Sequence, residues 1–155
     1  MMTRLLLTLM FLLPVPAMAD SPDDPSVGQT QYRVQSAVWC SGQLRGEPEL
    51  LLEAGKPGQF EIDSPESSWR LRVEVEAPGT HEGAGPDSLW FKVGIDQKVD
   101  GDWEFLTETM LGVPPGRPGR ITVAAPADSG EVVDTSRENA PLYVELSAEP
   151  VRDRS

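Results

Sequence analysis

Leu50–Ile62, LLLEAGKPGQFEI, carries two rows of alternating apolar residues on either side of a turn. Leu50 and Leu52 alternate with their neighbours, Gly55-Lys56-Pro57-Gly58 supplies turn residues, and Phe60 and Ile62 resume the alternation. A period of two on both sides of a Gly/Pro turn predicts strand, turn, strand, read most simply as a hairpin. The pattern returns without a gap at Leu111–Val123, LGVPPGRPGRITV, 61 residues later. Leu50 meets Leu111, Leu52 meets Val113, Gly55 meets Gly116, Pro57 meets Pro118, Gly58 meets Gly119, Phe60 meets Ile121, and Ile62 meets Val123. Carried upstream, the same offset sets Tyr32 against Val93, Val34 against Ile95 and Val38 against Val99. The expectation is an all-β chain built from an internal duplication.

The other strands follow outward from this pair. Gln31–Cys40 reads as the first strand and Ser41–Glu47 as a loop. Trp69–Glu76, WRLRVEVE, has Trp69, Leu71, Val73 and Val75 on one side and Arg70, Arg72, Glu74 and Glu76 on the other. That is a half-buried strand with one wet face. The loop 77–88 joins the halves. Leu89–Lys98 and Trp103–Glu108 read as strands joined at Asp100-Gly101, a strong two-residue hairpin signal. Thr109–Val113 and Arg120–Ala124 repeat the first hairpin, and Leu142–Ser147 is the last strand. The sum is a single antiparallel β-sandwich of about eight strands over residues 31–149, with repeat halves 31–78 and 89–149. Each half alone is of a size at which cores are marginal, which favours one shared core. Cys40 is the single cysteine, so the sandwich is disulfide-free and the Cys–Trp–Cys signature of immunoglobulin domains is excluded. Its even spacing from Val34 and Val38 places Cys40 on the apolar face, buried and inert.

Pro48–Ile62 also resembles a strand–turn–strand of the secretin β-domain of outer-membrane secretion channels. The resemblance is confined to these residues and implies a strand pair there. The chain is too short for such a channel and has no lipid-facing strands.

The first 19 residues, MMTRLLLTLMFLLPVPAMA, have the charge, apolar run and Ala17-Met18-Ala19 ending of a secretory signal peptide. The apolar run is shorter than the roughly 20 residues of a membrane span, so export to the periplasm or the extracellular space is expected, with no membrane span. Residues 20–30 read as a disordered polar tail and 150–155 as a C-terminal tail. The whole chain has 25 acidic and 13 basic side chains, a net charge of −12. Such a surface disfavours nucleic acid as a partner.

Few residues suggest chemistry. A Ser-His-Asp triad would need His81, the only histidine, and no serine stands in a nucleophile-elbow pattern. Asp96, Asp100, Asp102 and Glu104 cluster around the Asp-Gly turn and are the candidates for a weak calcium site or a small hydrolytic site. Their spacing does not match an EF-hand. Trp39 and Trp90 fall on the faces opposite Val38 and Phe91 and are the candidates for a binding surface. The expected role is a non-enzymatic binding or assembly module with an envelope protein partner. The alternatives are the calcium-dependent or hydrolytic domain on the acidic hairpin and a structural subunit of an envelope complex.

Overall fold

The computed structural model describes residues 30–83, 85–114 and 116–152. The signal-peptide expectation for residues 1–19 lies outside them, as does most of the expected polar tail. The described residues form nine strands and no helix. They are β1 (Gln31–Cys40), β2 (Gln43–Gly46), β3 (Glu49–Glu53), β4 (Gly58–Asp63), β5 (Ser68–Glu76), β6 (Leu89–Val99), β7 (Asp102–Val113), β8 (Gly119–Val123) and β9 (Leu142–Pro150).

The strands make two antiparallel sheets. Sheet A has the order β2-β1-β9-β8, with β3 also pairing β1; sheet B has the order β4-β5-β6-β7. The core lies between them. Val34 and Val38 of β1, Leu142, Val144 and Leu146 of β9, Leu71, Val73 and Val75 of β5, and Phe91, Val93 and Ile95 of β6 are fully buried. Each such side chain contributes roughly 1.5–3 kcal/mol by leaving water. Trp69 and Cys40 join this core, as alternation predicts. Burial pushes the Cys40 thiol above its ordinary titration range, which keeps it un-ionised.

Three expectations are corrected, two in the strand pairing and one, below, in the offset of the first strand. Leu50–Ile62 is not a hairpin: β3 pairs with β1 in sheet A, and β4 pairs with β5 in sheet B. The Gly55–Pro57 turn crosses from one sheet to the other. Leu111–Val123 crosses in the same way, because β7 lies in sheet B and β8 in sheet A. Crossing lets both apolar rows face the same interior from opposite walls. The second correction is the segment 41–47. It contains a fourth short edge element, β2, which follows a two-residue turn at Ser41-Gly42 with φ of 48° and 78°. Asp100-Gly101 makes the same turn, φ 51° and 91°, as its sequence predicts.

The two halves trace matching paths. Glycines Gly58 and Gly119 begin β4 and β8, and a Cβ on either would collide with the paired apolar residues of the crossing. At Gly58 it would lie 2.4 Å from Leu52 Cδ2; at Gly119, 2.3 Å from Leu111 Cδ1 and 2.7 Å from Val113 Cγ2. The offset of 61 holds for β3–β4 and β7–β8 but not for β1. Tyr32 stands opposite Leu52, and Leu89 stands opposite Val113. β1 therefore matches β6 at an offset of 57, which couples Val34 with Phe91 and Val38 with Ile95. Both strands shift register at the matched place, between Val38 and Trp39 and between Ile95 and Asp96. Trp69 opposite Ile62 likewise matches Leu142 opposite Val123.

Candidate functional site

The outer face of sheet B collects the polar row of β5 and the aromatic side chains of β7. Alternation along β5 turns Arg70, Arg72, Glu74 and Glu76 outward. Register brings Asp96 opposite Arg70 on one side and opposite Phe105 on the other, and Lys98 opposite Trp103. The Arg70 guanidinium lies 4.1 Å from the centre of the Trp103 ring, and its Nε donates to Glu61 Oε1 at 3.0 Å. Lys98 Nζ approaches the same ring at 5.6 Å. Arg72 sits 6.0 Å from the Phe105 ring and donates to Asp96 Oδ1 at 3.3 Å. Gly94 makes room for Arg72, since a Cβ there would come within 3.0 Å of its Nη2. Lys92 pairs with Glu108 at 3.5 Å. Cations are thus held over aromatic rings by neighbouring carboxylates, a favourable arrangement for each ring face.

Much of this face stays open to solvent. Phe105 is 63% exposed, Leu106 44% and Met110 41%. Between β5 and β6 lies a shallow depression of about 220 Å³ lined by Pro57, Arg72, Glu74, Lys92, Gly94 and Glu108. The matching place on sheet A is a depression of about 290 Å³ that includes Pro118, Glu145, Ser147, Gln35, Ala37 and Glu47. The first holds two cations; the second is acidic.

The tryptophans singled out in the sequence do not share a surface. Trp39 belongs to sheet A and Trp90 to sheet B, on outer faces that point apart. Both are half-buried. Trp39 packs edge-on to Tyr143, ring centres 5.7 Å apart, with Arg137 at 5.1 Å. Trp90 is covered by the 77–88 loop, where His81 stacks edge-on at 5.2 Å and contacts Glu76 through Nε2. His81 is thus a fastening for this loop.

The acidic candidates do not converge. Asp96 is turned to Arg72 and is nearly buried. Asp100 occupies the turn, Asp102 opens β7, and Glu104 stands opposite Gln97, one step along the strand from Phe105 and so on the other face. Among the described residues no three His, Cys, Asp or Glu side chains gather as a metal site. Nor is any described helix long and apolar enough to cross a membrane.

Phe105 is the residue that sequence reasoning passes over, and Trp103 stands among the four tryptophans without being chosen for the binding face. Alternation from the Asp100-Gly101 turn already sets both on the side of Asp96. Their meeting with Arg70 and Arg72 requires β6 to lie between β5 and β7, which no local pattern states. The chain matches no family model, no curated protein and no solved structure.

Proposed function

We propose that this chain is an exported, non-enzymatic binding module that engages a protein partner through the outer face of sheet B. One observation carries the reading: Phe105 is 63% exposed beside the cation-covered Trp103, on a rim that also exposes Leu106 and Met110. Exposed aromatic side chains flanked by arginines have the composition of interface anchors, because they bury large area at small entropic cost. We read the matching paths of the two halves as an internal duplication in which one outer face kept, or gained, this role.

The test is recovery of a partner with a tagged chain carrying Trp103→Ala and Phe105→Ala. Recovery should fall sharply, while Leu44→Ala on the matching rim of sheet A should leave it unchanged. Equal recovery with all three chains would remove the sheet B face from the function.

A further inference from the structure

Building on that reading, we propose that β7 is the docking edge of the module: it takes an extended, lysine- or arginine-bearing segment of a partner as an added strand on Thr107–Val113. β7 is the last strand of sheet B, so one side of its backbone has no sheet partner among the described residues. A bare edge of this kind is a template for strand addition.

The molecule shields its other edges. β2, β3, β4 and β8 have only four to six residues, whereas prolines flank β7 (Pro114) as well as β3, β4 and β8. Short length is a usual protection of a sheet edge. β7 runs for 12 residues with neither proline nor lysine nor arginine. Its extra residue, Leu106, has no opposite on β6, and beyond it Thr107–Val113 pairs without interruption with Leu89–Ile95. That regular run can accept a further strand.

Charge names the occupant. The ionisable side chains of β7 are Asp102, Glu104 and Glu108, all exposed. β7 carries three acids and no base, so a second copy would be repelled by its like net charge and a cationic strand attracted. Such a strand on Thr107–Val113 meets Glu108, which Lys92 only partly occupies, covers Met110, and reaches Glu104 and Asp102 with the residues beyond the bulge.

The probe is a short peptide alternating lysine and valine, compared with one alternating glutamate and valine. Binding is followed by fluorescence anisotropy and by amide exchange. The lysine peptide should bind and slow exchange in Thr107–Val113 but not in Gln43–Glu53. Glu108→Lys should weaken it about tenfold or more, with Glu104→Lys as a second variant if the first melts early. Glu49→Lys, at the matching rim of sheet A, should leave it unchanged. Equal weakening by Glu108→Lys and Glu49→Lys would overturn the proposal in favour of diffuse attraction. So would a dimer that Leu106→Lys dissociates, since the occupant would then be a second copy. If no peptide protects β7 while the Trp103/Phe105 variant still loses its partner, the edge proposal fails and the face reading stands.

Discussion

Two rims of this sandwich occupy matching places and are finished in opposite ways. On sheet A the rim is divided between β2 and β3; on sheet B it is the unbroken β7. At an offset of 61, Leu106 stands where sheet A has Arg45, Thr109 where it has Pro48, and Met110 where it has Glu49. Arg45 and Leu106 are each the extra residue of a register shift. The backbone device is the same on both rims, and only the side chains differ. Arginine, proline and glutamate end or shield one edge. Leucine, threonine and methionine leave the other continuous, with two exposed apolar side chains. The two rims thus share a backbone device and differ in length and in the side chains they present.

The largest test of the match is in the core. Phe91→Ala, beneath β6, should cost about 3–5 kcal/mol in chemical unfolding. Val34→Ala at the matched place on β1 removes fewer buried atoms and should cost clearly less. Equal losses would mean that the halves are not packed as matched units. Gly58→Ala and Gly119→Ala should each cost about 1–3 kcal/mol, because a new Cβ meets the leucines of the crossing. A neutral effect at one glycine alone would show that the two crossings differ.

An alkaline scan adds to the comparison: burial raises Cys40 and Tyr32 in the first half and Tyr143 in the second above their ordinary values of 9.0 for the thiol and 10.0 for the phenols. A raised folded value favours the protonated form, so their contribution to stability is complete below those values. It is lost as pH rises through the higher folded values. These groups add no slope below about pH 9, and thermal melting should fall above it, with Cys40→Ala reducing the fall. Cys40 should also resist alkylation in the folded chain at neutral pH. The smallest stability effect belongs to the rim itself. Leu106→Lys should alter unfolding free energy by no more than about 0.5 kcal/mol, as an exposed substitution, while suppressing strand addition.

Much of this architecture is legible in the sequence. Alternation in Trp69–Glu76 and Leu142–Ser147 locates central strands, and Asp100-Gly101 locates its turn. Gly55–Gly58 marks a turn but not its destination. A Gly/Pro turn between two apolar rows serves a hairpin and a sheet crossing equally, and the choice rests on which strands take the hydrogen bonds. The match of β1 with β6 was displaced by four residues for a similar reason. Both are apolar at every second position, so any even shift preserves the pattern, and only pairing opposite Leu52 and Val113 fixes it. Trp39 and Trp90 stood out by residue type and face. Their cover, by Tyr143 and by His81 from a loop, comes from chain that is distant or irregular. Trp103 and Phe105 were hidden because their neighbours lie two strands away.

The most direct measurement places a photoreactive residue at Leu106 in one chain and at Arg45 in another, and irradiates cells that produce them. A discrete adduct is expected from position 106, lost when Glu108→Lys is added, and none from position 45. Adducts from both positions alike, or from position 45 alone, would contradict the division into an open and a closed edge.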